Sequence, residues 1–217
     1  EESHSMSHYS RFTFLFVLLF AQETLLADEP IFSGPQVGEK LPPLNVKGVY
    51  GDLADKDIEL AAALATDPEL LIFFHERTRP AYGLTNMMMK YAASRKKDGL
   101  KSSVIYLTDD ATETRDWLGR VKRNMNPNVI HAISPDGLEG PGSYGLNRNV
   151  ALTVLVAKDG KVTANFALIQ PSIQSDGPKI LKAIVDATGG GKIPTVADLG
   201  GGRYSGQARM KARGGKS

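Results

Sequence analysis

The sequence predicts an α/β fold with a mixed β-sheet, and three observations support this prediction. Strand-like and helix-like segments alternate as strand, helix, strand, helix, strand between residues 69 and 133, an order that requires parallel strands. Two later apolar runs flank Lys158-Asp159-Gly160, and Asp-Gly between two such runs is a strong hairpin signal. Residues 177–188 then predict a closing helix that ends at three glycines, 189–191.

The first strand and the first helix carry clear signals. Residues 69–74 (ELLIFF) form a mostly apolar run after Pro68, which predicts a strand buried on both faces. Thr78 and Pro80 predict the start of a helix, as N-cap and first-turn residue, and Gly99 predicts its end. Its apolar face consists of five residues at helical spacing: Leu84, Met87, Met88, Tyr91 and Ala92.

The remaining elements follow from weaker patterns. Residues 57–66 (DIELAAALAT) are rich in alanine and predict a short helix. Residues 102–107 and 129–133 predict two more strands, with a helix over residues 112–123 between them. The hairpin strands are expected at residues 151–157 and 161–167.

Composition excludes several kinds of chemistry. The chain has 217 residues, 41% of them hydrophobic and 23% charged, which suits a globular domain with extensions. It contains no cysteine, so disulfides, thiolate metal sites, iron–sulfur clusters and cysteine nucleophiles are all excluded. A net charge of +2 gives no reason to expect a nucleic-acid partner.

The beginning of the chain resembles an export peptide. After Met6, the expected start, come Arg11, a ten-residue apolar run at 12–21 and a short polar region to Ala27, which is the layout of a secretory signal. The run is too short for a membrane span of about 20 residues. Leu25 stands where a small residue is expected before cleavage, so an uncleaved or lipid-facing anchor stays open as the alternative.

The predicted organisation has three parts. Residues 1–27 form the signal peptide, 28–190 the folded domain and 191–217 a flexible, basic, glycine-rich tail. Six basic residues and one acidic residue give residues 192–217 a net charge of +5. Such a tail could contact anionic lipid, cell-envelope polymer or nucleic acid, of which nucleic acid is the least expected in an exported protein. A solubilising tail without a partner is the alternative.

Residues 37–168 resemble the thioredoxin-like superfamily, in its redoxin branch of thiol peroxidases and periplasmic thioredoxin-like proteins. Residues 37–42 (VGEKLP) are similar to that branch's opening motif, and residues 71–74 to its central strand. Residues 144–146 (YGL) and 150–162 (VALTVLVAKDGKV) are similar to two later motifs. The resemblance implies a three-layer α/β/α sandwich with a central mixed β-sheet.

The same resemblance implies that the redox site is degenerate. Thr78-Arg79-Pro80-Ala81 stands where the family has C-x-P-C, so Thr78 and Ala81 replace the two cysteines. A threonine hydroxyl supports neither thiol exchange nor peroxide reduction. Ala151 takes the place of the cis-proline that faces this turn in the family. Because a non-proline cis bond costs about 3 kcal/mol, a trans peptide is expected there.

Several other side chains carry groups that are capable of chemistry. His75, Glu76 and His131 could suggest a metal pair, or a couple of His75 with Thr78, but no metal-binding spacing supports either, and ordinary polar roles are favoured. Arg79 could hold an anion at the helix start; a solvated arginine or a pair with Glu76 is favoured instead. The remaining groups are expected to be structural: Met87, Met88 and Met89 as core, Trp117 as packing, Asp109, Asp110, Glu113 and Asp116 as a helix start, and residues 134–142 as turns.

These inferences predict a cysteine-free pseudoenzyme: an exported, non-catalytic thioredoxin-like protein that acts as a binding or scaffold module. Its compartment would be the periplasm, the cell envelope or the outside of the cell. The expected partner is a protein or peptide, with no cofactor and no metal. The alternative is an enzyme of altered, non-thiol chemistry that uses His75, Thr78 and Arg79.

Overall fold

The computed structural model describes residues 31–61 and 66–200. Seven strands and three α-helices lie within them. The strands are β1 (Leu44–Gly48), β2 (Asp57–Leu60), β3 (Glu69–Phe74), β4 (Lys101–Tyr106), β5 (Ile130–Ile133), β6 (Leu152–Lys158) and β7 (Lys161–Leu168). The helices are α1 (Arg79–Arg95), between β3 and β4, α2 (Ala111–Val121), between β4 and β5, and α3 (Gly177–Ala187), after β7.

All seven strands form one sheet in the order β2-β1-β5-β4-β3-β6-β7. Strand β3 pairs in parallel with β4, and β4 in parallel with β5. The other pairs, including β3 with β6 and the hairpin β6 with β7, are antiparallel. The predicted α/β fold with a central mixed sheet is therefore confirmed, with β3 near its middle and buried along its whole length.

The helix predicted over residues 57–66 is wrong at its beginning. Residues 57–60 form β2, which pairs with β1 in the register Leu44↔Leu60 and Val46↔Ile58. Pairing with a neighbouring strand and burial of Leu60 outweigh the weak helical preference of this segment. The strand ends at Leu60, and the next residue, Ala61, has a left-handed φ of 55°. Strand β1 was not predicted at all.

The two faces of the sheet are covered differently within residues 31–61 and 66–200. All three α-helices pack on one face, where Ile72, Leu84, Leu118 and Ile180 belong to one cluster of buried side chains. The opposite face carries Phe73 and Leu155, which pack with Leu41 and Tyr144 from irregular segments. Met87, Met88 and Met89 are all buried, as predicted for core residues.

The β6–β7 hairpin turns at the predicted residues. Asp159 and Gly160 have φ values of 53° and 69°, and two consecutive left-handed residues are what a tight two-residue hairpin requires. Helix α3 also matches its prediction and is followed by left-handed Gly189, Gly190 and Gly191. Beyond them, Val196 and Leu199 pack against the helical face of the core.

The predicted signal peptide at residues 1–27 lies outside the described residues, as do residues 201–217 of the predicted tail, so both stay predictions. In the part of the chain that the structure describes, no helix is long and apolar enough to cross a membrane.

Candidate functional site

The turn that joins β3 to α1 lies against the start of β6. The backbone N–H groups of His75 and Glu76 both donate to the carbonyl oxygen of Ala151, at 3.0 and 3.3 Å. The N–H of Ala151 donates in turn to the carbonyl of Leu168, at 2.8 Å. The structure thus brings Ala151 beside the turn that holds Thr78. The described residues contain no cis peptide bond, so the expected trans peptide before Ala151 is confirmed.

Thr78 begins helix α1. Its backbone is extended, with φ −92° and ψ 155°, and its Oγ1 accepts a hydrogen bond from the N–H of Ala81 at 3.3 Å. Arg79 and Pro80 occupy the first helical turn and are exposed, whereas Ala81 is buried. A helix N-terminus leaves several N–H groups without intrahelical partners, and the threonine hydroxyl satisfies one of them. The predicted helix start at Thr78 is confirmed.

His75 faces β6. Its Nε2 lies 2.9 Å from Oγ1 of Thr153, a fully buried hydroxyl that also lies 2.5 Å from Oγ of Ser33. Ser33 Oγ accepts the N–H of Asn147 at 3.0 Å. Thr153 and Ser33 were not singled out from the sequence; the only signal was a lone threonine inside the otherwise apolar run ALTVLVA.

The environment of His75 keeps its imidazole neutral. Burial lowers the pKa of His75 to about 4, because the charged form loses solvation. The Nδ1 atom is enclosed and has no hydrogen-bond partner. No hydrogen bond joins His75 to Thr78 within the described residues, so the contacts do not favour the suggested couple of a base and a hydroxyl.

Arg77, which was not singled out from the sequence, is the arginine of this turn that forms an ion pair. Its guanidinium contacts both carboxylate oxygens of Glu113 on α2, at 2.8 and 2.5 Å, and lies 5.7 Å from the centre of the Trp117 ring. The hydrogen bond and charge of Arg77 lower the pKa of Glu113. The suggested pair of Arg79 with Glu76 is not among the ion pairs of the described residues.

A small cavity of about 100 Å³ lies beside this turn, at the ends of β3 and β4. Aromatic, hydroxyl and cationic side chains line it: Phe74, His75, Arg77, Tyr106, Thr108 and Thr114. That volume holds a few water molecules rather than an organic substrate, because ligand pockets usually measure about 300–1,000 Å³.

His131 lies elsewhere, on β5. It is buried, with Nδ1 3.2 Å from the hydroxyl of Tyr106 and its ring 5.3 Å from that of Tyr50. Burial lowers its pKa to about 4. Within residues 31–61 and 66–200, no group of three histidine, aspartate or glutamate side chains is close enough to hold a metal ion. The arrangement therefore gives no support to the suggested metal pair of His75 and His131.

The other candidates have structural positions. Asp110 is the N-cap of α2 and its Oδ1 accepts the N–H of Glu113 at 2.8 Å, as expected for a helix start. Residues 134–142 include the single helical turn Gly137–Glu139, in line with the predicted turns. Trp117 packs against the rings of Phe74, Tyr82 and Tyr106.

The sequence matches no protein-family model and no curated protein, whereas solved structures share its fold. A protein described as the thiol:disulfide interchange protein DsbE from Chlorobium tepidum superposes with a TM-score of 0.55 and 19% identity, over 74% of this chain and 100% of that one. One described as a protein disulfide isomerase from Bacteroides thetaiotaomicron superposes with a TM-score of 0.55 and 15% identity, over 73% of this chain and 94% of that one. Peroxidoxin BcpB from Mycobacterium tuberculosis superposes with a TM-score of 0.51 and 14% identity, over 69% of this chain and 96% of that one.

At these identities the similarity establishes the fold, and it agrees with the resemblance found in the sequence. Two of these three neighbours are described by thiol or disulfide chemistry, which requires sulfur. In this chain a threonine occupies the helix start after the central strand, and the full sequence contains no cysteine. The chain has a thioredoxin-like α/β fold, with a cysteine-free turn at the start of α1.

Proposed function

We propose that this protein is an exported, non-catalytic member of the thioredoxin-like fold that acts as a binding or scaffold module. The observation that carries the proposal is the use of the Thr78 hydroxyl: it caps α1 at the place where a redox thiol would stand. The chain has no sulfur nucleophile to replace it, because it contains no cysteine.

The surface around the turn supports a binding role. Glu76, Arg79 and Pro80 are exposed on the turn, and Ile169, 48% exposed, follows Leu168, whose carbonyl accepts the N–H of Ala151. Exposed apolar and charged side chains on these neighbouring segments are the mixture of apolar and polar groups that protein partners use. A protein or peptide segment is accordingly the partner that we propose.

The alternative, an enzyme of non-thiol chemistry at His75, Thr78 and Arg79, has less support. His75 directs its Nε2 to Thr153, and the Thr78 hydroxyl accepts from the helix backbone. Neither contact activates a nucleophile, which needs a base within hydrogen-bond reach. Export is proposed from the pattern of residues 6–27 alone, and contact of the basic tail with an anionic surface from its charge.

Two measurements test the proposal. The purified full chain is expected to show no reduction of insulin disulfides and no consumption of hydroperoxide. A photo-reactive amino acid introduced at Arg79 is expected to cross-link one discrete partner in the source cells, whereas the same group at exposed Lys179 on α3 does not. Thiol-independent turnover that Thr78→Ala abolishes while the fold persists would favour the enzyme instead. Identical adduct patterns at the two positions would contradict the binding role.

A further inference from the structure

A groove on the helical side of the molecule is separate from the turn at Thr78. It has a volume of about 300 Å³ and lies between one face of α1, the turn after α2 and the end of the described chain. Its polar and glycine lining consists of six residues: Gly83, Asn86, Lys90, Arg123, Asn124 and Gly200. This volume is at the lower end of the range for small-molecule sites.

The charge of the groove has one sign. Lys90 and Arg123 line it, and none of the described residues that line it is acidic. Lys90 and Arg123 also have no ion-pair partner among the described residues. A Cβ built on Gly200 would lie 3.8 Å from Nζ of Lys90, so the ammonium group bends toward the groove wall that Gly200 forms. Two cations beside one cavity attract an anion.

Asn86 provides an independent sign of a ligand. This residue is only 8% exposed, and its Oδ1 is enclosed without a hydrogen-bond partner. Buried amide groups are normally hydrogen-bonded, because leaving one unpaired costs free energy. Asn86 also lines the groove, and its carboxamide carries an NH₂ group that can donate to a ligand oxygen.

We propose that this groove binds a small organic anion through its carboxylate or phosphate oxygens. The guanidinium of Arg123 and the ammonium of Lys90 neutralise the oxyanion, and the carboxamide of Asn86 donates a hydrogen bond at the floor. Charge-assisted bonds of this kind are the strong ones in anion recognition. The glycines at positions 83 and 200 add no side chain that would fill the space.

The test uses the ¹⁵N-labelled full chain, titrated at low salt with inorganic phosphate and separately with citrate. Saturable shifts are expected for the amides of Gly83, Asn86 and Gly200 with at least one probe, and the stronger probe identifies the group that is bound. Lys90→Ala and Arg123→Ala are each expected to weaken binding about tenfold, the effect of losing one charge-assisted hydrogen bond.

The matched control is Lys56→Ala, which removes the same charge from an exposed position on the turn between β1 and β2 and is expected to leave the affinity unchanged. Asn86→Ala is expected to weaken binding without unfolding the chain. Should Asn86→Ala fail to fold, the Lys90→Ala and Arg123→Ala variants, whose side chains are exposed, still test the proposal. The proposal is overturned if neither probe gives saturable shifts, or if Lys56→Ala weakens binding as much as the groove variants.

Discussion

The Nε2 atom of His75 lies 2.9 Å from the Oγ1 atom of Thr153, and this contact joins the turn before α1 to the buried strand β6. Ser33 extends the contact, because its hydroxyl lies against Thr153 and accepts the N–H of Asn147. Hydroxyl and imidazole groups thus occupy the space behind the turn, where they hold the backbone in place.

Replacing the central hydroxyl tests this role. Thr153→Val keeps the shape of the side chain but removes the hydroxyl that contacts both His75 Nε2 and Ser33 Oγ. The free energy of unfolding is expected to fall by about 1–3 kcal/mol, measured by urea denaturation. Thr163→Val removes an exposed hydroxyl that donates to a single carbonyl and should change stability by no more than about 0.5 kcal/mol. Equal losses in the two variants would show that Thr153 has no special role.

The two buried histidines predict sensitivity to acid. Burial lowers the pKa of both His75 and His131 to about 4, against about 6.5 in an unfolded chain. Between these values the unfolded state binds more protons, so stability falls as pH decreases from about 6.5 toward 4. By pH 5 each histidine is expected to lower the free energy of unfolding by up to about 2 kcal/mol. His131→Phe should therefore make the dependence of unfolding free energy on pH less steep. A variant profile as steep as that of the wild type would exclude His131 as a cause.

The N-terminus of α1 is expected to stabilise a thiolate if one is introduced. Because the chain has no cysteine, Thr78→Cys creates a single thiol at the helix start, where the N–H groups and the helix dipole lower a thiol pKa below about 8.5. Lys97→Cys places the same group just beyond the other end of that helix. The pH dependence of iodoacetamide alkylation should give the Thr78→Cys thiol the lower pKa by about one unit. Equal values would mean that the turn has lost the geometry that activates a thiol.

The β6–β7 turn depends on glycine at one position. Gly160 has a φ of 69°, and a side chain there costs roughly 1–2 kcal/mol, so Gly160→Ala is expected to lower the thermal midpoint. Gly119→Ala is the control and is expected to raise the thermal midpoint. Gly119 lies inside α2, where alanine is more favourable than glycine, and an added Cβ would meet nothing within 4 Å. The interpretation fails if the two substitutions shift the midpoint in the same direction.

Elements encoded by neighbouring residues could be predicted from the sequence. The hairpin turn at Asp159 and Gly160 and the start of α1 at Thr78 each depend on a few adjacent residues, and the structure confirms them. Strand β2 depends instead on pairing with β1, so the local preference of residues 57–60 for a helix was misleading.

Part of the candidate site could likewise be predicted from the sequence, and part could not. The proximity of Ala151 to the turn followed from the resemblance to a known fold, whereas the partner of His75 lies 78 residues further along the chain. Which hydroxyl meets an imidazole depends on the register between β3 and β6, and that register is a property of the assembled sheet.

The position of β3 in the sheet also has a consequence for the newly made chain. Its run ELLIFF leaves the ribosome well before β6, the antiparallel neighbour that completes its pairing, because β6 begins 78 residues after β3 ends. Until residues 152–158 have been translated, one edge of an apolar strand stays open to other nascent chains. The sheet can therefore close around β3 only late in synthesis, after β6 has been made.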